Sequence, residues 1–576
     1  MDEMEVDDDL DYSIQECCLP IQRESLPYQK QNSNGGYSYE CDNITKLHRF
    51  LCLGSEEGTY YTGEQDCKKD NAKCIDSLIS KGEGERVVDA IETISVTGRA
   101  SKQFPILFAL ALCCRSNDQK VKDKAYMVMP KVCRIPTHLF QFIKYCQNVS
   151  DTGSGWGRAH RRAISNWYIK YMGENTENEA EGLLRLAHHI TKYKSRHGWS
   201  HKDVLRLAHV KSSNTTMQFL LRCIAKGLKD AEEFYKDAIT AVDYHRTSLS
   251  KVVEFLEVVE RLSQIRNPDE MTRLIIEHKL AREHVPTQML KDATVWRALI
   301  RYMPIRAMLR NLGKMTSMNV LPPYSFEHSL TLDKIRDKVS MKNARIHPFD
   351  LLIALRQYEK GRGELGKLVW TPDDEIKRAL ENALYDSFVF TEPTNKKHLL
   401  AIDVSESMDT PVVGTPSITA RDGAAVMAMH TLRNETNANC KIVAFSCAQS
   451  QEHPATLRQL QVNHTDKLNT VIETCKGIPS GDTDCALPIL HALEKKEKYD
   501  VFIVYTDSET YFGNTHPADA LKQYSYSLKT QTKFIVCGMT SNGFTLANPE
   551  DPFMMDVVGF DSNAPMAIMN FINGNI

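Results

Sequence analysis

The feature that most constrains this chain is a change of hydrophobic period just past residue 390. Before it, apolar residues recur at three- and four-residue steps, as in Leu249, Val252, Val253, Leu256, Val259, Leu262 and Ile265, which Asn267-Pro268 brings to a stop. That spacing puts one apolar stripe on a helix. Val87, Val88, Ile91 and Ile94 begin another stripe, and similar patterns run through 202–211, 216–226, 294–312 and 373–385. Breaks fall at Pro105, Pro136, Gly198, Pro304 and Pro322-Pro323, and no alternating strand pattern of any length occurs between about 44 and 385. Many helices with short breaks predict stacked helical hairpins, an irregular α-solenoid without a fixed repeat period. After a polar linker, 391–397 (TEPTNKK), the pattern changes. Segments 398–405, 441–446, 501–506 and 533–538 are continuous apolar runs rich in Val and Ile, separated by helical patterns near 417–433, 465–477, 484–497 and 516–529. Buried strands alternating with helices predict a parallel, doubly wound α/β sheet.

A length of 576 residues accommodates both units. Hydrophobic residues at 42% and charged residues at 25% exclude disorder of the whole chain, a collagen-like fibre and a small disulfide scaffold. Seven acids in the first eleven residues, followed by QKQNSNGG, predict a disordered acidic tail over 1–40. The helical unit then takes 41–390 and the α/β unit 391–576. No apolar run approaches the roughly 20 residues that span a bilayer, and the acidic N-terminus does not resemble a signal peptide. The expected location is therefore the cytoplasm or nucleus, away from membranes. In such a compartment the 16 cysteines are expected to be free thiols, and the lack of any C-x-x-C spacing argues against structural zinc.

The first α/β strand runs directly into Asp403-Val404-Ser405-Glu406-Ser407. Asp403, Ser405 and Ser407 thus stand as D-x-S-x-S beyond a strand end, where ligands gather in open α/β sheets. Thr483 lies in a turn-rich loop, PSGDTD, and Asp507 ends the strand VFIVYTD. The plainer account is that Ser405 and Ser407 cap the next helix and Asp507 caps another. Two carboxylates with three hydroxyls at matching strand ends instead suit a hard divalent cation, with Mg²⁺ favoured by the shortage of carboxylates. The set resembles the metal-ion-dependent adhesion site of von Willebrand factor A domains over about 396–576. That resemblance implies recruitment of an acidic partner rather than catalysis. No base and nucleophile are paired for hydrolysis, and the few carboxylates argue against a two-metal nuclease.

The net charge of -3 points to no partner, yet one region is strongly basic. Arg158, Arg161, Arg162 and Lys170 occur without an acid between them. Segment 185–211 carries Arg185, Lys192, Lys194, Arg196, Lys202, Arg206 and Lys211 against the single acid Asp203, with His188, His189, His197, His201 and His209 added. Trp167, Tyr168, Tyr171, Tyr193 and Trp199 are interleaved. Cations neutralise phosphates and aromatic faces stack on unpaired bases, so the stretch is a candidate RNA surface. A solvated helix face with its aromatics in the core is the competing account. Helical spacing puts Lys192 with Arg196, and Arg206 with His209, on shared faces. Glu174, Glu177, Glu179 and Glu181 read as a solvated insertion. The glycine-rich GSGWGR (153–158) lacks the phosphate-loop pattern and reads as a connector.

Taken together, LHRFLCLGSEEGTYY (47–61), CRIPTHLF (133–140), TKYKSRHGWSHKDVLRLAHVK (191–211), MLRNLGKMT (308–316), ARIHPF (344–349) and VCGMTSNGFTLANPED (536–551) resemble the Ro ribonucleoprotein family of TROVE-module RNA-binding proteins. The resemblance spans about 40–576. It implies helical, HEAT-like repeats closed into a ring, followed by a von Willebrand factor A domain, in a non-enzymatic protein; a monomer is the default expectation, since no interface is readable in the sequence. It implies that the outer basic face binds small cytoplasmic Y RNA, and that the central hole takes single-stranded 3′ ends of misfolded noncoding RNA. Positions important for Y RNA in that family match Lys192, Arg196 and His209. Glu406 departs from the small residue common in the metal motif, and the acidic tail and Glu-rich insertion are also unusual.

Overall fold

The computed structural model describes residues 21–32, 35–53, 72–100, 102–150, 156–173, 176–241, 247–363, 368–388, 391–409, 418–435, 439–446, 456–481, 483–508, 510, 512–540 and 543–575. The N-terminal domain is a succession of helices from Asn43–Leu53 to Asp374–Asp386. Their boundaries follow local chemistry. Thr247 accepts from the Ser250 amide to start Ser248–Arg261, which buries Leu249, Val252, Val253, Phe255, Leu256 and Val258. The next helix, Pro268–His278, has proline in its first turn and Asn267 as its cap. Helix Phe104–Arg115 is buried from Pro105 to Cys114, so it needs no polar face.

The helical array closes on itself. Arg345 Nε donates to the Val96 carbonyl at 2.6 Å, and the His347 ring meets the Arg99 carbonyl at 3.1 Å. Gly98, at φ +75°, caps Gly84–Thr97 in the left-handed region, and a Cβ there would stand 2.9 Å from the Arg345 side chain. The ring is therefore joined by residues about 250 positions apart.

The strands in chain order are β1 (Gln29–Gln31), β2 (Tyr37–Glu40), β3 (Ser195–Arg196), β4 (Trp199–Ser200), β5 (His398–Asp403), β6 (Cys440–Ser446), β7 (Thr456–Gln459), β8 (Val501–Thr506), β9 (Lys533–Gly538), β10 (Phe544–Thr545) and β11 (Met554–Val558). The large sheet has the order β11-β9-β8-β5-β6-β7 and is parallel except for β7. The alternation of side chains along a strand decides which core each residue joins. Leu400, Ile402, Ile503 and Tyr505 enter a core continuous with the helical domain. Leu399, Ala401, Phe502 and Val504 enter a second core on the other side.

Ion pairs fasten the domains, two of them on the Asp556 and Asp561 side of the sheet. The fully buried Arg49 binds Asp556 through two bonds of 2.9 and 2.7 Å and also donates to the Phe544 carbonyl. Arg99 pairs with Asp561 at 2.5 Å.

The expected tail over 1–40 gives way well before residue 40. Residues 1–20 lie outside the described residues, but 21–32 and 35–40 are folded against the α/β domain. β1 and β2 form an antiparallel sheet with β10, and Gln22 is fully buried. The tertiary reason is specific: the Gln22 amide donates to Asp484 at 2.9 Å and accepts from the Thr510 hydroxyl at 2.7 Å. Polar composition hid a strap whose ordering is offset by bonds to distant residues. Among the described residues twelve cysteines are free and none is in a disulfide.

Candidate nucleic-acid interface and metal centre

The basic stretch folds into three exposed pieces. Arg158, Arg161 and Arg162 are exposed on helix Arg158–Ile169. Lys192 ends helix Thr176–Lys192, and Lys194 and Arg196 follow as exposed residues of a short hairpin. Lys202, Arg206, His209 and Lys211 are exposed on and after helix His201–Ala208, which packs beside the first helix.

The hairpin corrects one expectation: Lys192 and Arg196 do not share a helix face. Arg196 pairs with Trp199 across a turn at His197-Gly198, both with positive φ (54° and 80°). Two such residues make the turn that suits the twist of a two-stranded ribbon. His209 likewise lies beyond the last helical turn. It caps that helix in the left-handed conformation at φ 53°. At the N-terminus of the helix, Ser200 and Asp203 form a reciprocal capping box.

Two of the singled-out residues face inward. His201 is buried, and its ring meets the Tyr168 hydroxyl at 2.8 Å and packs edge-on against Phe140. Burial pushes it down to about 3, so it stays neutral. Lys170 donates to the carbonyls of Pro130 and Cys133 at 2.9 and 3.1 Å, over the Trp167 ring. Burial lowers it to about 8. Trp167, Tyr168 and Tyr171 are core residues, leaving Tyr193 and Trp199 half-exposed. The competing account was thus right for three of the five aromatics. Burial also lowers His188 and His189 to about 4, so these histidines add no charge near neutrality. Lys192 is partly drawn to Glu283, at 3.4 Å. From Thr176 on, the Glu-rich insertion forms the start of helix Thr176–Lys192, and Glu179 accepts from Asn214 at 2.6 Å; Glu174 lies outside the described residues. Residues 153–155 of the glycine-rich connector lie outside the described residues.

A second cationic cluster, missed in the sequence, sits where the ring closes. Arg134 donates to the carbonyl and hydroxyl of Ser95. Arg306 binds Asp350 at 2.5 Å and the Arg345 carbonyl at 2.7 Å. Burial, then Arg345 and Arg306, lower Arg134 to about 10. Burial also lowers Lys102, where Arg310 and Arg306 act against Asp350. His138 falls to about 3 through burial, with Arg134, Arg306 and Lys170 adding to it. These residues come from CRIPTHLF, MLRNLGKMT, ARIHPF and their surroundings. No run of charge marks them, because the fold assembles them from separate segments around residues 102, 134, 306 and 345.

In the α/β domain, Asp403, Ser405, Thr483 and Asp507 are all buried, while Ser407 is half-buried and Glu406 exposed. The Asp403 carboxylate accepts from the Ser405 amide at 2.9 Å and from the Thr506 hydroxyl at 2.6 Å. Ser405 and Ser407 hydroxyls lie 3.1 Å apart. Cys485, two residues past Thr483, reaches the Thr506 hydroxyl at 3.7 Å, so the loops meet around Asp403. Arg421 braces the first loop by donating to the carbonyls of Val404 and Ser405 and to Asp409. Burial, then the Asp507 carboxylate, push Asp403 up to about 7. Two acids held together under cover, flanked by hydroxyls, form a donor set that fits a hard cation. Sequence reading missed the support behind it. Asp484 is held by Gln22, and Thr510 bonds both Gln22 and the Thr483 carbonyl.

A closed helical ring carrying a von Willebrand factor A domain defines a class, and comparison with known proteins identifies it. Residues 30–357 match the TROVE domain and residues 397–572 the Ro60 vWA domain. The chain is 33% identical to the RNA-binding protein RO60 of Caenorhabditis elegans, over 97% of this chain and 92% of that one. It is 32% identical to the RNA-binding protein RO60 of Deinococcus radiodurans, over 95% and 96%. The crystal structure of the D. radiodurans RO (RSR) protein superposes with a TM-score of 0.65 at 31% identity, covering 93% of this chain and all of that one. The chain belongs to the Ro60 family.

Proposed function

We infer that this protein binds RNA without catalysing its turnover, as the core of a small ribonucleoprotein. The carrying observation is the exposed set Arg158, Arg161, Arg162, Lys194, Arg196, Lys202, Arg206, His209 and Lys211 on neighbouring elements. The names of its RO60 relatives support the same reading. A small Y-type RNA lies on this outer surface, with Lys192 at its edge. Single-stranded 3′ ends of misfolded noncoding RNA enter the ring, where Lys102, Arg134, Arg306, Arg310 and Arg345 meet their phosphates. The consequence is RNA stabilisation and quality control in the cytoplasm, and also in the nucleus. His201 and Lys170 support the surface from beneath.

A second activity rests on the converging Asp403, Ser405, Ser407, Thr483 and Asp507. These residues would hold Mg²⁺ or another divalent cation. A bound cation would supply an open position for an acidic group on a protein partner.

Sequencing RNA crosslinked to the protein in its own cells tests the main reading. Enrichment of a short structured RNA together with noncoding RNAs bearing extended 3′ tails is the expected result. No enrichment above background would overturn it and leave the metal-dependent scaffold as the leading function.

A further inference from the structure

Beside the ring seam lies a cavity of about 280 Å³ that neither the basic stretch nor the metal site uses. One wall is aromatic and fixed. The turn at Gly361 leads into a short hairpin in which Gly363 donates to the Leu368 carbonyl and Trp370 to the Gly361 carbonyl, both at 2.9 Å. The Trp370 indole donates to the Tyr358 carbonyl at 3.0 Å, and its ring lies near parallel to that of Tyr358. Its six-membered ring rests on helix Ile305–Ser317 at Gly313, where a Cβ would stand 2.6 Å from it. Any other residue there would lift the indole off the helix.

The remaining lining is cationic. Arg310 and Lys314 are four apart on one helix, and Arg362 of the hairpin and Gln357 line the same cavity. Among the described residues none of the three cations has a carboxylate partner. That contrasts with Arg306, one turn earlier on the same helix, which Asp350 neutralises at 2.5 Å. Arg310 also lies close enough to Lys102 to act on it, so the cavity adjoins the seam cations.

A flat aromatic wall, an amide and three cations that pair with no carboxylate among the described residues match a nucleoside monophosphate unit. The base lies against the indole, the amide reads its edge, and the cations hold the phosphate. We propose that the cavity between helix Ile305–Ser317 and the Trp370 hairpin is a single-nucleotide subsite for the single strand entering at the ring seam. The inference rests on the seam being a single-strand site. It goes further by assigning one nucleotide to one pocket, held by Trp370, Arg310, Lys314 and Arg362.

The test uses the full chain, a five-nucleotide single-stranded RNA and adenosine monophosphate alone. Tryptophan emission reports stacking, because only five tryptophans contribute. The oligonucleotide is expected to quench emission, and Trp370→Phe, which keeps an aromatic wall, to remove at least half of that quench. Arg362→Ala, at an exposed position, is expected to weaken oligonucleotide binding about five- to tenfold. It should also lower the log-log salt slope by about 0.7, the share of one single-strand phosphate. A structured RNA on the outer surface should bind both variants as before. An unchanged quench and affinity in these variants, with Arg134→Ala still weakening the oligonucleotide, overturns the subsite and leaves the seam reading intact. If Arg134→Ala is also without effect, the seam reading itself falls. Saturation by adenosine monophosphate at the oligonucleotide's own affinity would overturn the assignment to a strand and mark a free nucleotide as the ligand.

Discussion

Arg49 and Asp556 are separated by 507 residues yet form a two-bond ion pair, with the guanidinium fully buried. The pair joins the first helix of the ring domain to the last strand of the A-domain sheet. Removing the acid leaves a buried, uncompensated charge. Asp556→Ala should therefore cost about 3–5 kcal/mol in urea unfolding. An Arg49→Met, Asp556→Leu double variant should recover most of that, since the stranded charge is then gone. A single variant as stable as the parent would show that the pair does not fasten the domains.

Lys192→Ala with Arg196→Ala should weaken structured-RNA binding and flatten the log-log salt slope by about 1.4–1.8, roughly two phosphates' worth. Lys192 is shared with Glu283, so Arg196 should carry the larger part. His209→Ser should also reduce binding. Filter binding across about 50–200 mM salt reads both variants, and an unchanged slope would remove Lys192 and Arg196 from the interface.

Metal addition should stabilise the α/β domain, because the cation binds the folded site and not the unfolded chain. At a hundredfold excess over its dissociation constant, the gain is about 2.7 kcal/mol. Asp403→Ala should abolish the Mg²⁺-dependent rise in Tm while leaving RNA affinity intact. A Tm indifferent to Mg²⁺ and to chelation in the parent protein would count against the site.

Buried histidines should make stability fall on acidification, against the opposite pull of Asp403, whose carboxyl is raised to about 7. His138, His160 and His201 are each pushed down to about 3, with burial the first cause. Between about pH 6.5 and 3 the unfolded chain binds protons that the folded chain refuses, so stability is lost as pH falls through that window. At pH 5 each such histidine costs about 2 kcal/mol relative to pH 7. Urea midpoints at pH 7 and 5 measure the drop, and His201→Phe should reduce it without changing the salt slope of RNA binding. An undiminished drop would mean that His201 is protonated in the folded protein.

Much of the architecture was legible because it depends on local periodicity. The stripe from Leu249 onward became helix Ser248–Arg261, and the run 501–506 became β8 at the same residues. β7, β10 and β11 escaped notice because short or edge strands carry little apolar pattern. The hairpin at Arg196 escaped because two residues on each side of His197-Gly198 leave no periodicity to read. In the basic stretch, charge marked the exposed residues correctly for most positions. It failed for Lys170, whose ammonium is held by carbonyls, and for His201, which a buried tyrosine claims. Composition does not distinguish a cation facing solvent from one turned onto its own backbone.

The sequence by itself determined the two domains, their order, the strand-end position of Asp403, Ser405 and Ser407, and the family. Each of these is written in contiguous residues. Only the tertiary structure decided how the ring closes through Arg345 and Val96, that Gln22 belongs to the α/β domain, and that Lys102, Arg134, Arg306 and Arg310 form one field. The physical reason is common to all three. These contacts join segments hundreds of residues apart, and their free energy comes from burying polar groups against exact partners that local pattern does not contain.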